Sequence, residues 1–195
     1  ITFSSHLGRP KKNSLDYSLE PVSKKMTEII NQKVNFIDEI YGKKVNASIE
    51  NSESKINLIE NLRLHEGELN NDDEFAKNVT FPFDTYIFDA FGASHRNHAS
   101  VVSFGKYLDS YQGPLMNNEI EQLDKLLVNE KTGYVVLLGG AKISDKLSLI
   151  DNLLPKVEHL LIGGGMCFTF LKSMGYEIGN SLLEDSFISK ANDLL

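Results

Sequence analysis

Short aliphatic and β-branched runs alternate along the chain with longer amphipathic segments, and this alternation limits the folds available to it. Strands separated by helices form parallel βαβ units. The run Tyr134–Leu138 is apolar throughout, which is typical of a parallel strand covered on both faces. We therefore predict an α/β fold. The predicted strands are Ile1–Ser4, Val34–Ile37, Ile56–Ile59, Tyr86–Phe88, Tyr134–Leu138 and His159–Ile162. The predicted helices are Leu19–Gln32, Asp73–Val79, Asn118–Val128, Ser144–Leu154, Met166–Met174 and Glu184–Leu194.

The dipeptide Gly113–Pro114 is the strongest break in the middle of the chain, because both residues interrupt regular structure. We predict a domain boundary there, which gives residues 1–112 and 113–195, with the following helix as the connector. Asn118 and Glu121 resemble a capping box, so this helix is predicted to begin at Asn118. The chain itself begins inside a predicted strand, so we expect it to be a fragment.

The composition argues against several classes of partner and location. The net charge of the 195 residues is −7, whereas a nucleic-acid surface needs a basic stripe, so nucleic acid is not an expected partner. No apolar run is long enough to span a membrane, and we expect no signal peptide. The single cysteine, Cys167, excludes an intrachain disulfide and fits a reducing compartment. We expect a cytoplasmic protein that acts as a monomer.

The three arginines of the chain all stand near histidines, in segments that follow predicted strands; all other basic residues among the 20 Lys+Arg are lysines. The planar guanidinium group of arginine binds a carboxylate or phosphate through two parallel hydrogen bonds. Loops at the carboxyl ends of parallel strands meet at one edge of a sheet. We therefore predict that Arg9, Arg63 and Arg96 form one anion site, and the alternative is three unrelated surface ion pairs. The three segments are Ser5–Pro10, Glu60–His65 and Asp89–His98.

The third of these segments carries further candidates. His95 and His98 flank Arg96, and a catalytic base or a metal pair are the two alternatives for them. We do not predict a metal, because no cysteine or carboxylate stands at ligand spacing from them in the sequence. Asp89 is expected either to orient one of the cations or to make a buried structural hydrogen bond, and the sequence leaves both open.

Two glycine-rich turns between a predicted strand and a predicted helix form a second group of candidates. The turn 138–146 combines Gly139 and Gly140 with Lys142 and Lys146. Exposed backbone N–H groups, a helix N-terminus and mobile lysines suit a phosphate group. The turn does not match the Walker A motif, and an ordinary turn with surface lysines is the alternative.

The second glycine turn, 162–166, contains the run Gly163–Gly165. Consecutive glycines allow close approach of a flat group such as a nucleoside. A dinucleotide fingerprint fails here, because Phe168 stands where the third glycine is required. A dinucleotide-dependent oxidoreductase is therefore disfavoured.

Taken in chain order, these motifs resemble those of the phosphoglycerate kinase family over essentially the whole chain. They read Ser-His-Leu-Gly-Arg-Pro, Glu-Asn-Leu-Arg, Asp-Ala-Phe-Gly followed by His-Arg-Asn-His, Leu-Gly-Gly-Ala-Lys-Ile-Ser-Asp-Lys and Ile-Gly-Gly-Gly-Met. The resemblance implies a two-lobed α/β enzyme with a deep cleft and with parallel sheets flanked by helices in Rossmann-like three-layer lobes. Residues 1–112 would form the phosphoglycerate-binding lobe without its N-terminal strand. Residues 113–195 would form the connecting helix and the first part of an incomplete nucleotide-binding lobe.

The same resemblance implies transfer of a phosphoryl group between 1,3-bisphosphoglycerate and Mg-ADP, giving 3-phosphoglycerate and Mg-ATP. Mg²⁺ would arrive with the nucleotide, and no metal ligand is expected in this chain. Because the nucleotide-binding lobe would be incomplete, we expect the chain alone to be inactive. The alternative function is a non-catalytic module that binds phosphate or another anion.

The resemblance also assigns roles to individual residues. Lys142 and Arg9 match catalytic positions. The residues that match substrate-binding positions are His6, Leu7, Gly8, Arg9, Arg63 and Arg96, with His95 and Asp89 in support of that site. The residues that match nucleotide-binding positions are Gly139, Gly140, Ala141, Lys142, Lys146, Gly164 and Gly165.

Overall fold

All strand pairs in the described part of the chain are parallel, in agreement with the predicted α/β fold. The computed structural model describes residues 1–10, 15–128 and 133–195. The chain divides into a first unit, Ile1–Glu119, and a second unit, Ile120–Leu195. This division lies inside a long helix, beyond the Gly113–Pro114 break at which the sequence predicts a boundary. None of the helices in the described ranges has the length and apolar character that crossing a bilayer requires.

The first unit contains one sheet of three strands and one of two strands. Its strands are β1 (Thr2–Phe3), β2 (Val34–Ile37), β3 (Ile56–Ile59), β4 (Thr85–Phe88) and β5 (Asp109–Gln112). Its helices are α1 (Glu20–Ile30), α2 (Lys43–Glu50), α3 (Glu66–Leu69), α4 (Asp73–Thr80) and the first part of α5 (Pro114–Val128). The strand order is β1–β3–β2 in the larger sheet, and β4 pairs with β5. The carboxyl ends of β1, β2 and β3 therefore lie at the same edge.

The central strand β3 is covered on both faces. Successive side chains of a strand point to opposite faces, and the neighbours Leu58 and Ile59 are each only 1% exposed. Leu58 packs with Leu19 and Val34, whereas Ile59 belongs to a separate cluster that includes Phe75. Packing on both sides fixes the strand and, with it, the start of the loop that follows.

The second unit is built on the parallel pair β6 (Val135–Gly139) and β7 (His159–Gly163), with helices α6 (Leu147–Leu153), α7 (Cys167–Ser173) and α8 (Ile188–Leu194). Leu138 and Leu160 pack into its core, whereas Leu137 and Leu161 are 73% and 52% exposed. The residues that form the centre of this core are Ile143, Ile150, Met166, Phe170 and Ala191. The expectation that the strand at 134–138 is covered on both faces is thus not met within the described residues, because this core lies on one face.

The start of α5 differs from the prediction. The helix begins at Pro114 rather than at Asn118, and proline is well tolerated there because the first N–H groups of a helix have no partner within it. Asp89 Oδ1 accepts a hydrogen bond from the Met116 N–H at 2.9 Å. Asn118 and Glu121 lie inside the helix instead of forming a capping box. The end of β4 therefore supplies the cap through Asp89.

Three of these strands and helices were not predicted: β5, α2 and α3. All four residues of β5 are exposed, so the strand shows none of the apolar alternation on which the prediction relied. Helix α2 follows Gly42, which has a positive φ of 107°. Helix α3 spans only four residues, too few to show a helical period in the sequence.

Candidate functional site

Arg9 and Arg96 both lie near Arg63 in the first unit. Burial lowers the pKa of Arg63, and the positive charges of Arg96 and Arg9 lower it further, which requires each of these charges to be close to Arg63. Arg63 Nη1 also donates a hydrogen bond to the Gly8 carbonyl oxygen at 2.9 Å. This bond joins the loop after β3 to the loop after β1. Three guanidinium groups from distant segments therefore share one region, where a polyanion would relieve their mutual repulsion.

Asn61 holds the first two arginine loops together. Its side chain is fully buried, and its Oδ1 accepts hydrogen bonds from the N–H groups of Leu7 (3.2 Å) and Arg63 (3.1 Å). Its Nδ2 donates to the carbonyl oxygens of Leu7 (2.9 Å) and Tyr17 (3.0 Å). A buried amide that makes four hydrogen bonds fixes the backbone on both sides of the site. Asn61 was not predicted as a functional residue, although the segment Glu60–His65 that contains it was predicted to carry part of the site.

Gly8 occupies a turn that a side chain would disrupt. Its φ is +61°, and a Cβ there would run into the ring of Tyr17. Leu7, beside it, keeps its side chain 37% exposed while Asn61 binds its backbone. Leu7 and Gly8 thus shape the loop that carries Arg9, and Gly8 contacts Arg63 through its backbone oxygen.

A buried carboxylate lies at the centre of the same region. Glu68 is 0% exposed, and its Oε1 lies 2.6 Å from His6 Nε2. Ser100 donates its hydroxyl to Oε1 at 2.6 Å and its N–H to Oε2 at 3.0 Å. Burial acts to raise the pKa of Glu68, but the hydrogen bonds from His6 and Ser100 outweigh it and the pKa is lowered. Glu68 thus ties the loop after β1 to the segment after β4, and we call His6, Glu68, His98 and Ser100 the Glu68 cluster.

The four histidines near the arginines play different parts. His6 belongs to the Glu68 cluster. His65 caps α3, because its Nδ1 accepts the Gly67 N–H at 3.0 Å, and its ring stacks on Phe75 with centroids 4.6 Å apart. His95 is exposed. Burial lowers the pKa of His98 in spite of the attraction of the Glu68 carboxylate. His65 therefore stabilises the fold rather than adding a donor to the arginine site.

Asp89 has the structural role that the sequence left open. It caps α5 through Met116, and a Cβ on Gly113 would collide with its side chain. The Asp89 side chain is exposed. The hydrogen bond that Asp89 accepts from Met116 therefore orients the start of α5 and not a guanidinium group.

In the second unit, the two glycine turns pack against each other. Gly164 has φ +69°, and a Cβ there would lie 2.8 Å from the Gly140 carbonyl oxygen. Met166 donates its N–H to that same oxygen at 2.9 Å. A Cβ on Gly165 would lie 3.0 Å from the Ala141 carbonyl oxygen. The consecutive glycines thus allow the second glycine turn to approach the backbone of the first turn closely. Gly139 differs, because a Cβ there would meet no atom within 4 Å.

We expect Gly164→Ala to lower the free energy of unfolding of the chain. Alanine in the left-handed region costs about 1–3 kcal/mol, and its methyl group would also press on the Gly140 backbone. Gly139→Ala is the matched control, since that position has open space. Urea unfolding of both variants measures the effect, and equal stabilities would show that the two turns are not packed as described.

The lysines of the first glycine turn stand beside a carboxylate. Glu184 Oε2 accepts the N–H groups of Ile143 (2.6 Å) and Ser144 (3.1 Å), and the Ser144 hydroxyl donates to Oε1 at 2.6 Å. The hydrogen bond from the Ser144 side chain is the main reason that the pKa of Glu184 is lowered, and the charge of Lys142 adds to it. Two backbone donors of the turn are therefore already occupied by Glu184.

The start of α6 also limits the phosphate site that the sequence predicts. The helix begins at Leu147, later than the predicted Ser144, and Lys146 is its N-cap residue. Lys142 is exposed and Lys146 half-buried. The cavity beside Lys142 measures about 170 Å³, below the range typical of ligand pockets. Its lining residues are Ala141, Lys142, Thr169, Leu182, Leu183 and Glu184. This turn therefore offers a phosphate the side chains of Lys142 and Lys146 rather than a helix N-terminus.

Parallel sheets with cationic and glycine-rich loops after their strands are typical of α/β proteins that bind phosphate-bearing ligands. The family model for phosphoglycerate kinase matches residues 1–195. The chain belongs to the phosphoglycerate kinase family.

Individual relatives agree with this assignment. The chain is 47% identical to phosphoglycerate kinase from Thermosipho africanus and 46% identical to that from Campylobacter lari, with 100% of this chain and 49% and 50% of the relatives covered. Its structure resembles phosphoglycerate kinase from Coxiella burnetii with a TM-score of 0.83 and 34% identity, over 100% of this chain and 49% of that chain. The enzyme from Pyrococcus horikoshii gives a TM-score of 0.79 at 25% identity, over 100% of this chain and 52% of that chain. The chain thus spans about half the length of the relatives it matches.

Proposed function

We propose that this chain provides the phosphoglycerate site and part of the nucleotide site of an enzyme that transfers a phosphoryl group between 1,3-bisphosphoglycerate and Mg-ADP. The observation that carries the proposal is the closeness of Arg9 and Arg96 to Arg63, from segments far apart in the sequence. Phosphoglycerate carries a carboxylate and a phosphate, both of which match the fork of a guanidinium group. On a chain of net charge −7, such a local group of cations favours a small anion.

The chemistry of the proposed reaction requires positioning and charge neutralisation. The bond between phosphorus and the carboxyl oxygen of 1,3-bisphosphoglycerate breaks, and phosphorus forms a new bond to a β-phosphate oxygen of ADP. The products are the carboxylate of 3-phosphoglycerate and ATP, and Mg²⁺ enters as part of the nucleotide substrate. Arg9, Arg63 and Arg96 hold the phosphoglycerate, and Arg9 together with Lys142 also neutralises charge on the transferred group. Such transfers depend on fixed cations more than on covalent catalysis.

The Glu68 cluster supports the first half of this proposal. His6 stands between the buried Glu68 carboxylate and the loop of Arg9, and its side chain is 15% exposed. One ring nitrogen bound to a carboxylate fixes the orientation of the imidazole. His6 is thereby held as a donor for the anion, next to Leu7 and Gly8. His95 is proposed to assist from the exposed end of the third arginine segment.

In the second unit, Lys142 and Lys146 are the proposed contacts to the nucleotide phosphates. Gly139, Gly140 and Ala141 provide the backbone beside them. Gly164 and Gly165 act through packing, since they allow the second turn to lie against the first. Their contribution to nucleotide binding is therefore proposed to be the shape of the turn.

Replacement of Arg63 by lysine tests the proposed substrate site. The variant keeps the positive charge but loses the planar fork, so binding of 3-phosphoglycerate should weaken by about 1–3 kcal/mol. Isothermal titration of the 195-residue chain measures this difference. Lys44→Arg is the matched control, because Lys44 is an exposed cation of the first unit that pairs with Asp38 and Glu39. If Arg63→Lys bound as tightly as Lys44→Arg, Arg63 would not contact the substrate.

We expect the 195-residue chain to bind phosphoglycerate without turning it over. It spans about half the length of its relatives, and the cavity beside Lys142 is small. A coupled assay with ADP and 1,3-bisphosphoglycerate measures turnover directly. Steady formation of ATP by the chain alone would overturn the expectation of inactivity, whereas failure to bind 3-phosphoglycerate would overturn the proposed function itself.

A further inference from the structure

Three potential metal ligands from distant segments meet in the first unit. His6 Nε2, Glu68 Oε1 and His98 Nδ1 all lie within 4.8 Å of one another. Glu68 Oε1 is 2.6 Å from His6 Nε2 and 3.7 Å from His98 Nδ1. A metal was not predicted from the sequence, since no carboxylate stands near His98 along the chain. The fold supplies that carboxylate from α3.

One of these ligand atoms has an unsatisfied hydrogen-bonding capacity. Within residues 1–10, 15–128 and 133–195, His98 Nδ1 is buried and has no hydrogen-bond partner. Buried polar atoms are almost always hydrogen-bonded, so an unpartnered one needs an explanation. The Glu68 carboxylate lies 3.7 Å from it, too far for a hydrogen bond. A cation held by both atoms would satisfy the nitrogen and offset the buried charge of Glu68.

Hydrogen bonds fix the orientation of the Glu68 carboxylate, as a metal ligand requires. Ser100 donates to both oxygens of Glu68, through its hydroxyl and its N–H. Tyr86 in turn donates its hydroxyl to the Ser100 carbonyl oxygen at 2.9 Å. Such outer contacts orient metal-binding carboxylates in known sites. The side chains of His6 and His98 are 15% and 12% exposed, so the cluster reaches the surface of the first unit.

We propose that His6, Glu68 and His98 bind a divalent transition-metal ion of the zinc type, with a fourth position left for water or an anion. Two imidazoles and one carboxylate are an established ligand set for zinc. Imidazole ligands favour such ions over Mg²⁺ and Ca²⁺, so this site is separate from the magnesium that accompanies a nucleotide. The ion replaces the proton between His6 Nε2 and Glu68 Oε1, and that proton is released to solvent.

The spacing of two of the three ligand pairs can be compared with the spacing that a bound ion requires. An ion about 2.0–2.2 Å from each ligand atom requires those atoms to stand roughly 3 Å apart or more. The His6–Glu68 pair at 2.6 Å must therefore open by a few tenths of an ångström, while the His98–Glu68 pair at 3.7 Å is already wide enough. Arg63 and Arg96 repel a cation here. We therefore expect binding weaker than that of closed structural zinc sites.

Titration of the metal-free 195-residue chain with zinc chloride, and with Co²⁺ as a coloured substitute, tests the proposal. We expect one ion per chain, release of a proton, and a Co²⁺ visible absorption band typical of nitrogen and oxygen ligands. His98→Ala should weaken zinc binding at least about tenfold. His159→Ala is the matched control, because His159 is an exposed histidine 3.9 Å from Glu158 without a second histidine beside it, and it should bind as the unaltered chain does.

Two outcomes would overturn the proposal. They are absence of saturable zinc binding to the unaltered chain, and equal affinities of the unaltered chain and a folded His98→Ala variant. The first does not depend on whether any variant folds. Circular dichroism establishes folding for the second, and His98→Gln replaces His98→Ala if the alanine variant is unfolded.

A competition experiment between zinc and 3-phosphoglycerate links the metal site to the proposed function. It is the one part of the test that rests on the proposed function. His6 serves both ligands, so 3-phosphoglycerate should reduce zinc affinity. Zinc binding that 3-phosphoglycerate leaves unchanged, although the chain binds it, would support the metal site and remove His6 from the substrate site. Binding of 3-phosphoglycerate without zinc binding would overturn the metal site and leave the proposed function intact.

Discussion

Replacement of Glu68 by alanine is expected to lower the free energy of unfolding of the chain by about 3–5 kcal/mol, the usual effect of removing one partner from a buried charged pair. The Glu68 side chain is 0% exposed and binds His6 and Ser100. Its loss leaves the buried Ser100 N–H without its acceptor and opens a cavity. Three segments of the first unit would then lose their common contact.

Urea unfolding followed by circular dichroism measures this change. The matched control is Glu28→Ala, because Glu28 is 65% exposed and pairs only along its own helix with Lys25. Such surface pairs contribute about 0–1 kcal/mol. A Glu68→Ala variant as stable as Glu28→Ala would show that the carboxylate is not buried as described.

The same carboxylate predicts how stability depends on pH. The folded state lowers the pKa of Glu68, so its contribution is present above the pKa of the unfolded chain and is lost as the pH falls through the folded value. The charged or titratable groups that act on it are His6, His98, Arg63 and Tyr86. In buffer with a chelator, the stability difference between the unaltered chain and Glu68→Gln should shrink on acidification. A difference that stayed constant between neutral and acidic pH would contradict the lowered pKa.

Replacement of Lys142 by alanine should lower kcat by about 10²-fold or more in a full-length kinase that carries this sequence. Lys142 is the exposed cation of the first glycine turn, and we propose that it follows the transferred phosphoryl group. Loss of one fixed charge aimed at the transition state typically costs about this much. Steady-state kinetics at saturating substrates separates kcat from KM.

Lys156→Ala is the control for this variant, since Lys156 is another exposed lysine of the second unit. It should leave kcat unchanged. An effect of Lys142→Ala confined to KM would mean that the lysine holds the nucleotide in the ground state only. Equal kcat values for the two variants would remove Lys142 from the catalytic residues.

The sequence predicts best those features that depend on local patterns. Strands β2 and β3 have the predicted bounds, Val34–Ile37 and Ile56–Ile59, because both are short apolar runs. The sequence also predicted that the loops after β1 and β3 would share an edge, because parallel strands end at one edge of a sheet. That β1 and β3 are neighbours in the sheet is known only from the structure.

Features that depend on distant contacts could not be found in this way. Glu68 stands in a polar stretch, where a carboxylate is normally exposed, and only the fold brings Ser100 and His6 to it. Glu184 likewise reaches back from before α8 to the turn of Ile143. Gly164 was recognised as a special position, but its packing against Gly140 was not predicted. A single sequence shows that a glycine is needed without showing what lies against it.

The most direct test of the shared arginine site is calorimetric titration of the 195-residue chain with 3-phosphoglycerate, using Arg9→Gln, Arg63→Gln and Arg96→Gln beside the control Lys44→Gln. The account predicts one ligand per chain and a loss of about tenfold or more in affinity for each arginine variant, with no change for Lys44→Gln. If any of the three arginine variants bound 3-phosphoglycerate as tightly as the control, the three side chains would not form a single site.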